Sequence, residues 1–406
     1  MTKLPNTWRT ATVADICEMR NGHGFGPEDW DTSGLPIIRI QNLNGGQKFD
    51  YFSGVPDERW LVEPGQMLFS WAGTKGVSFG PTIWRGARGV LNQHIFKVQP
   101  SDGVHGEWLY WALKHVTNRI EAQSHGFKST LVHVKKSDID RQPIMVPRHG
   151  EQRRIAHILS TWDQAITTTE RILGNSKRCT RDLMASLLSG HRRFPGLSDK
   201  WRYVNLDTIF ERVTRKNTTH NTNVLTISAE HGLISQRDYF NKSVASANLS
   251  GYTLLHRHDF AYNKSYSVGY PMGAIKPLLA YDAGVVSSLY LCFRLREDVD
   301  ADFDFFRHYF EAGLLNQEIE GIAQEGARNH GLLNVSVTDF FKLQLHIPSA
   351  PEQRRIAEVI NVARAEEARL EAQVRALRQE KAALMSQLLT GKRRVKLPEA
   401  ETEAQA

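Results

Sequence analysis

Cysteine is scarce in this sequence of 406 residues, and its placement argues against two structural classes. The three cysteines, Cys17, Cys179 and Cys292, lie far apart and form no CxxC pair. Neither a disulfide framework nor a zinc site is therefore expected. This usage favours a protein of the reducing cytoplasm.

Long hydrophobic runs are also missing. No uninterrupted apolar run approaches the ~20 residues that a membrane-spanning helix needs. The N-terminus carries no apolar signal-peptide core. We therefore expect a soluble, unprocessed, cytoplasmic protein.

Recognisable catalytic motifs are absent as well. No GxxxxGK[ST] loop occurs, which argues against ATP hydrolysis by that route, and GHGFG at residues 22–26 lacks the GxGxxG spacing. There is no [DNS]PP[YFW] run of amino-methyltransferases, and the 16 histidines include no HExxH pattern. We expect no catalytic residue, no cofactor and no metal in this chain. An enzyme with an unrecognised active site remains an alternative.

Composition favours two domains and a polyanionic partner. A chain of 406 residues exceeds what one core usually organises, and 41% hydrophobic residues suffice for two cores. Lysine and arginine (51) outnumber aspartate and glutamate (44), which gives a net charge of +7. Such a basic balance is weakly indicative of DNA or RNA binding.

An internal repeat organises the chain. The run EQRRIA at Glu151–Ala156 recurs letter for letter at Glu352–Ala357. Further along, LMASLLSGHRR at Leu183–Arg193 matches LMSQLLTGKRR at Leu384–Arg394, and both pairs are 201 residues apart. A fixed offset with no insertion indicates a duplication.

The sequence before each conserved segment has diverged. A weak echo remains at the domain starts, where Trp8 and Trp201 are 193 residues apart, so the second variable block is eight residues longer. The repeat predicts a variable block followed by a constant helix, used twice. The predicted parts are a variable domain at 1–147, a helix at 148–193, a second variable domain at 194–350, a second helix at 351–394, and an acidic, disordered tail at 395–406.

Each constant segment has the four-and-three spacing of a coiled-coil seam. Polar seam residues in one copy often become apolar in the other, which indicates two helices packing on each other rather than identical self-pairing. The seam positions are Ile155, Leu159, Trp162, Ile166, Thr169, Leu173, Ser176, Thr180, Leu183 and Leu187, then Ile356, Ile360, Ala363, Glu367, Leu370, Val374, Leu377, Lys381, Leu384 and Leu388.

Start and stop signals bound both helices. Pro147 or Pro351 precedes an acidic first turn, and Gly190 or Gly391 follows the last turn. At ~1.5 Å per residue each helix would be a rod of roughly 57 Å, longer than the ~34 Å of one DNA turn. Such a rod could space two DNA-reading domains, although an ordinary interdomain helix is the plainer alternative.

The variable blocks alternate short apolar runs with turn residues, and helical stretches follow near Gly106 and Asp302. This pattern predicts a mixed α+β domain in each block. Their loops hold side chains suited to base edges or phosphates, although for each residue taken alone a turn or core-polar role is the favoured interpretation. The candidates are Arg39, Gln41, Asn42, Lys75, Asn92, Gln93, His94 and Lys128 in the first block, and Asn263, Lys264, Tyr266, Lys276, Arg328 and Asn329 in the second.

Together these features resemble the specificity subunit of type I restriction-modification systems. The resemblance is carried by EQRRIA opening a helix that ends in LLSG or LLTG, twice, and by FSWAGTKG and FAYNKSYSVGYPMGAIK in the variable blocks. It covers nearly the whole chain.

The resemblance implies a non-catalytic, sequence-specific DNA-binding subunit. Each variable domain would read one half of a bipartite double-stranded DNA site, and an antiparallel helix pair would set the spacer. Two modification subunits would supply adenine methylation, and restriction subunits would cleave DNA using ATP. The alternative is a non-enzymatic coiled-coil scaffold whose variable domains bind a partner other than DNA.

Overall fold

The computed structural model describes residues 7–123, 131–228, 232–240, 248–267, 269–325 and 333–396. The chain divides into two compact units, unit 1 at 1–170 with 372–406 and unit 2 at 171–371.

The strands are β1 (Arg9–Thr12), β2 (Cys17–Asn21), β3 (Leu35–Ile38), β4 (Tyr51–Phe52), β5 (Leu61–Val62), β6 (Met67–Ser70), β7 (Ala72–Thr74), β8 (Gly80–Ile83), β9 (Gly89–Leu91), β10 (Ile95–Pro100), β11 (Leu131–His133), β12 (Pro143–Val146), β13 (Arg202–Asn205), β14 (Phe210–Arg212), β15 (Leu225–Ser228), β16 (Gly232–Ser235), β17 (Thr253–His256), β18 (Phe260–Asn263), β19 (Ala274–Pro277), β20 (Ala283–Val286), β21 (Leu291–Leu295), β22 (Gln324–Glu325), β23 (Leu333–Asn334) and β24 (Gln344–Ile347). The α-helices are α1 (Val13–Ile16), α2 (Ile40–Leu43), α3 (Gly106–Gln123), α4 (Lys136–Asp140), α5 (His149–Leu188), α6 (Leu206–Ile209), α7 (Gln236–Phe240), α8 (Phe303–Glu311), α9 (Asn316–Ile322), α10 (Val337–Phe341) and α11 (Ala350–Leu389), and a 3-10 helix spans Pro27–Asp29.

The main sheet of unit 1 is antiparallel, with the order β2-β10-β6-β8. Phe96 lies opposite Phe69 in this sheet, and both side chains are at most 2% exposed. Helix α3 covers the sheet with Trp108, Leu109 and Leu113, which are fully buried. Each such side chain contributes about 1.5–3 kcal/mol by leaving water, so the helix and sheet form one core.

A second four-stranded sheet in unit 1 has the order β4-β3-β9-β5 and contains a parallel pair, β3 and β9. Ile37 and Ile38 on β3 face Val90 and Leu91 on β9, and all four are fully buried. Such apolar runs are typical of a strand that is covered on both faces.

Unit 2 repeats the main sheet with the order β14-β21-β18-β19. A strand that pairs with the segment before the long helix completes the likeness: β1 pairs with β12 in unit 1, and β13 pairs with β24 in unit 2. A one-turn helix, α1 or α6, follows that strand in each unit. The duplication therefore extends through the diverged blocks, and the predicted α+β class is confirmed.

The stretch beginning at Asp302 forms two helices rather than one. Helix α8 ends at Glu311 and α9 begins at Asn316. Gly313 between them has a φ of +71°, a backbone conformation that glycine adopts without the steric penalty of a Cβ atom.

Helices α5 and α11 are each continuous over 40 residues. All predicted seam positions are buried or half-buried, and the polar residues Thr169, Thr180 and Glu367 are among the buried ones. Glu367 is 5% exposed, and its carboxylate accepts a hydrogen bond from Arg364 at 3.1 Å. The seam spacing read from the sequence is confirmed.

Ion pairs within each unit establish that the two helices run antiparallel. In unit 1, Arg378 donates to Glu170 at 2.6 Å, and Lys381, three residues later on α11, pairs with Asp163, seven residues earlier on α5. In unit 2, Lys177 on α5 pairs with Glu371 on α11 at 2.5 Å. As the residue number increases along α11, the residue number of its partner on α5 decreases, as expected for antiparallel helices.

The repeated glutamate and arginine close the helix pair at both ends. Glu151 is 2% exposed and pairs with Arg394 at 2.6 Å in unit 1. Its counterpart Glu352 is fully buried and pairs with Arg193 at 2.6 Å in unit 2. The conserved motif at the start of one helix thus binds the conserved arginine after the other, which explains why both ends of the repeat remained alike.

The neighbouring glutamine ties each helix start to its own mixed domain. The side-chain amide of Gln152 donates to the Pro147 carbonyl at 3.0 Å, and its oxygen accepts from the backbone of His105 at 2.8 Å. Gln353 makes the equivalent bonds to Pro348 and to the backbone of Asp302, both at 3.0 Å. The helix and the domain before it are therefore joined rigidly in each unit.

Candidate nucleic-acid interface

One connection of the main sheet stands out in each unit. In unit 1, β6 and β8 are joined by residues 71–79, called loop A; in unit 2, β18 and β19 are joined by residues 264–273, called loop B, which the structure describes except for residue 268. The two strand pairs occupy the same places in equivalent sheets. The loops are thus structurally equivalent, although WAGTKGVSF and KSYSVGYPMG share little.

Helix α3 anchors loop A through one buried carboxylate residue. The ammonium group of Lys75 donates to the backbone carbonyl of Glu121 at 2.8 Å, and the backbone N–H of Gly76 donates to its carboxylate at 2.8 Å. Glu121 is 8% exposed. Next to this anchor Val77 is 67% exposed, so the tip of a fixed loop projects into solvent.

Glycine is required inside loop A. The N–H of Thr74 donates to the Ser78 hydroxyl at 2.7 Å, and the Thr74 carbonyl accepts from the Ser78 N–H at 2.9 Å. A Cβ atom on Gly73 would lie 2.5 Å from the Ser78 hydroxyl oxygen, and its φ is +154°. Only glycine fits this approach, which makes the loop a defined turn.

Loop B is anchored by three polar side chains. Lys276 on β19 is 6% exposed, forms an ion pair with Glu311 at the end of α8, and donates to the Tyr270 hydroxyl at 2.7 Å. That hydroxyl donates to Glu311 at 2.8 Å. The Lys276 ammonium also lies 4.7 Å from the centre of the Tyr270 ring. The charge of Lys276 is therefore used inside unit 2, and we call these three residues the loop B anchor.

The backbone of loop B forms a tight turn. Ser267 and Tyr270 exchange two backbone hydrogen bonds, of 2.9 and 3.3 Å. The Tyr262 hydroxyl holds the far end by donating to the Met272 carbonyl at 2.8 Å. Between these fixed points Tyr266 is 62% exposed, with Lys264 half-buried beside it. An aromatic ring and a cation thus occupy the accessible part of the turn.

Asn263 and Lys264 lead into the turn. The side-chain oxygen of Asn263, the last residue of β18, accepts the Ser265 N–H at 3.1 Å. The Lys264 carbonyl accepts the Leu333 N–H at 2.9 Å. Both residues therefore shape the backbone, and Lys264 contributes an ammonium group near Tyr266 in sequence.

The predicted loop at Arg39, Gln41 and Asn42 is the short helix α2 and its first turn. Arg39 forms an ion pair with Asp50 and lies 4.7 Å from the centre of the Trp30 ring. Asn42 is 6% exposed, and its amide accepts the Arg39 N–H at 2.9 Å. Only Gln41 of the three is fully solvent-facing, so Asn42 holds the turn.

The triplet Asn92, Gln93 and His94 connects β9 to β10. Asn92 is 9% exposed, and its N–H donates to the Ile38 carbonyl at 3.1 Å. The Gln93 carbonyl accepts from the Trp71 indole at 3.1 Å, and the His94 ring centre lies 5.2 Å from that of Trp71. Gln93 and His94 thus border loop A, whereas Asn92 supports the sheet.

Three further candidates, Lys128, Arg328 and Asn329, lie outside the described residues. Of the others, the structure brings Lys75, Gln93 and His94 to the neighbourhood of loop A. It brings Asn263, Lys264 and Tyr266 to loop B, with Lys276 beneath them. Contact of any of these residues with DNA stays a prediction.

Sequence reasoning missed the residues that position the loops. Glu121 and Glu311 lie near the ends of their helices with no motif around them, and Tyr270 is one of 11 tyrosines. Trp71, whose ring centre lies 5.2 and 4.7 Å from those of His94 and His133, is not marked by any motif of its own. The sequence signal that could have identified Trp71 is its position directly after an apolar strand, as the first residue of loop A.

Within the described residues, no group of three or more His, Cys, Asp and Glu side chains could hold a metal ion. Burial raises the pKa of the Cys17 and Cys292 thiols to about 12, which keeps both protonated and poorly nucleophilic at neutral pH. None of the helices in the described ranges is long and apolar enough to cross a membrane.

Comparison with known proteins shows similarity to type I restriction-modification specificity subunits. Residues 5–174 match the family described as type I restriction modification DNA specificity domain. The resemblance to type I specificity subunits, predicted from the repeated motifs, is thereby confirmed.

Two curated relatives are specificity subunits. The type I restriction enzyme EcoBI specificity subunit of Escherichia coli is 24% identical over 194 residues, covering 46% of this chain and 40% of that protein. The type I restriction enzyme MjaVIII specificity subunit of Methanocaldococcus jannaschii is 22% identical over 430 residues, covering 97% of this chain and 95% of that protein. The second match spans both units.

Solved structures share the fold. A type I restriction-modification S subunit from M. genitalium is 16% identical, with a TM-score of 0.55, covering 95% of this chain and 98% of its own. A chain from a structure of type I restriction-modification complex assembly is 14% identical, with a TM-score of 0.58, covering 96% of this chain and all of its own. The fold of a specificity subunit therefore extends over nearly the whole chain.

Proposed function

We propose that this chain is the DNA-recognition subunit of a type I restriction-modification system and carries no catalytic centre of its own. Unit 1 reads one half of a bipartite double-stranded DNA site, and unit 2 reads the other half. The antiparallel helices α5 and α11 set the unread spacer. Two modification subunits bind the chain and methylate adenine, and restriction subunits join them to cleave DNA with ATP.

One observation supports this proposal most strongly. The same main sheet occurs twice with the same strand order, and each copy carries an anchored loop with different exposed residues. The helices that follow the two domains have the same length and have kept the same motifs at their two ends, EQRRIA at the start and LM followed by LL at the end. Two readers of different sequences on one common framework need this combination of divergent loops and conserved helices.

Methylation mapping of genomic DNA tests the proposal. A host carries the modification subunit of the same system, either with or without this chain. We expect a split adenine motif to be methylated only when the chain is present. Unchanged methylation, with all subunits shown to be expressed, would favour the scaffold alternative, which also predicts no salt-sensitive duplex binding.

Exchange of the second variable block provides the matched control. A chain that keeps residues 1–193 and takes residues 194–350 from a relative of different specificity should change one half of the motif. The other half and the spacer should stay the same. If both halves changed together, the two units would not be independent readers.

A further inference from the structure

We infer that the loop B anchor, formed by Lys276, Tyr270 and Glu311, positions loop B to read bases in the half-site recognised by unit 2. This inference rests on the proposed function. It replaces the direct phosphate contact that the lysine suggests from sequence alone, and it makes Lys276 a positioning residue.

Burial and bonding assign Lys276 this role. Its side chain is 8% exposed, too little for a phosphate group to approach the ammonium. Glu311 and the Tyr270 hydroxyl already satisfy it. A buried lysine is tolerated only when it is paired, so removing either partner would disturb the position of the other.

The anchor lies at the base of the turn whose tip is accessible. Tyr270 closes the turn through two backbone bonds to Ser267, of 2.9 and 3.3 Å, and holds Glu311 on α8 through its hydroxyl at 2.8 Å. Tyr266, four residues before Tyr270, is 62% exposed. Fixing Tyr270 against α8 therefore fixes where Tyr266 and its neighbour Lys264 can reach.

In unit 1, loop A is also fixed to a helix, but by different residues. Loop A is held to α3 by Lys75 and Gly76, which both bind Glu121 at 2.8 Å. In that unit the lysine lies within the loop, whereas Lys276 lies on the strand after loop B. Two unrelated residue sets thus tie equivalent loops to equivalent helices, which indicates that a fixed loop is what both units require.

Salt dependence separates positioning from direct contact. Each phosphate neutralised by a lysine contributes about −0.9 to the slope of log K against log salt concentration on duplex DNA. A lysine that only positions a loop leaves this slope unchanged and reduces discrimination between correct and incorrect bases. A lysine that binds phosphate does the opposite.

The experiment uses the full chain in complex with its modification subunit. The probes are duplexes carrying the methylated motif found by genomic mapping, with single base changes in either half. For Lys276→Met and Tyr270→Phe we expect an unchanged salt slope and a roughly tenfold loss of discrimination in one half-site only, comparable to the value of one base contact. Lys276→Arg should restore part of the discrimination.

Lys264→Met is the matched control, since it removes the same charge from the accessible side of the turn. It should reduce the magnitude of the salt slope by about one unit if Lys264 meets a phosphate. Melting temperatures of all variants, measured in the complex, exclude loss by unfolding.

Two results would overturn the inference. A salt slope that falls by about one unit in Lys276→Met would establish a direct phosphate contact. Unchanged discrimination in both Lys276→Met and Tyr270→Phe would remove the positioning role. If the wild-type complex itself discriminates no duplex, the proposed function fails instead, so the two failures are distinguishable.

Discussion

Units 1 and 2 use the same conserved glutamate in different ways. Glu352 in unit 2 accepts from Arg193 through both carboxylate oxygens, at 2.9 and 2.6 Å. In unit 1, only one carboxylate oxygen of Glu151 accepts from Arg394. The other oxygen accepts a hydrogen bond from the indole N–H of Trp8 at 3.1 Å. A letter-for-letter repeat therefore does not guarantee the same contacts, because the diverged domain beside it decides which donors are in reach.

The two counterpart tryptophans, Trp8 and Trp201, differ in hydrogen bonding as well. Trp8 donates to Glu151, whereas the indole N–H of its counterpart Trp201 is buried and has no hydrogen-bond partner among the described residues. An unsatisfied buried donor costs about 1–3 kcal/mol. Unit 2 thus has the stronger ion pair and the less satisfied tryptophan.

The largest effect is expected from removing the arginines. Arg193→Met leaves the fully buried Glu352 without its main partner and should lower the free energy of unfolding by about 3 kcal/mol, since breaking a buried pair typically costs 3–5 kcal/mol and Arg193 is partly exposed. Arg394→Met should cost about 1–2 kcal/mol, because Glu151 keeps its bond from Trp8. Urea unfolding followed by circular dichroism measures both.

Arg192→Met is the control for this pair, since Arg192 is exposed and precedes Arg193 directly. It should change stability by less than about 0.5 kcal/mol. Equal losses for Arg193→Met and Arg394→Met would contradict the comparison, because they would mean that the Trp8 bond contributes nothing.

The difference expected between the tryptophan variants is smaller than the full effect of Arg193→Met. Trp8→Phe removes a hydrogen bond to a buried carboxylate and should cost about 2 kcal/mol more than Trp201→Phe, which removes a donor without a partner. Loss of indole volume affects both variants and largely cancels. The same urea unfolding measures the difference, and equal costs would show that the Trp8 bond is not stabilising.

The sequence predicted both long helices and the mixed class of the variable blocks, but it did not predict the bonding partners of single polar residues. The repeat and seam spacing predicted both 40-residue helices, because burial periodicity is a property of the local sequence. The mixed class of the variable blocks followed from short apolar runs between turn residues. These features depend on neighbours in the chain.

The role of single polar residues could not be predicted in the same way. From the sequence alone, Lys276 suggests a phosphate contact. Its partner Glu311 is 35 residues away and is brought to it only by the packing of α8 on β19. Asn42, a candidate base reader, uses its side-chain amide locally, accepting from the Arg39 N–H at 2.9 Å and donating to the Lys48 carbonyl at 2.8 Å. Long-range packing decides which polar side chains remain available.

A last difference between the units lies at the contact of α3 with α5 in unit 1 and of α8 with α11 in unit 2. Trp111 on α3 donates to Ser160 on α5 at 3.3 Å, whereas His308 on α8 lies 2.7 Å from Asn361 on α11. Ser160 and Asn361 are 201 residues apart, so they are counterparts in the repeat. Unit 2 alone has a titratable side chain at this position.

This difference predicts the smallest effect, a pH dependence specific to unit 2. Burial lowers the pKa of His308, which is 4% exposed, below the value of about 6.5 expected in the unfolded chain. As the pH falls through about 6.5, the unfolded state binds a proton that the folded state does not, so stability decreases. His308→Gln should reduce the loss of stability between about pH 6.5 and 5.5, by at most about 1 kcal/mol. The exposed His157, changed to Gln as a control, should leave that loss unchanged, and an equal loss in His308→Gln and wild type would show that His308 is not the group responsible.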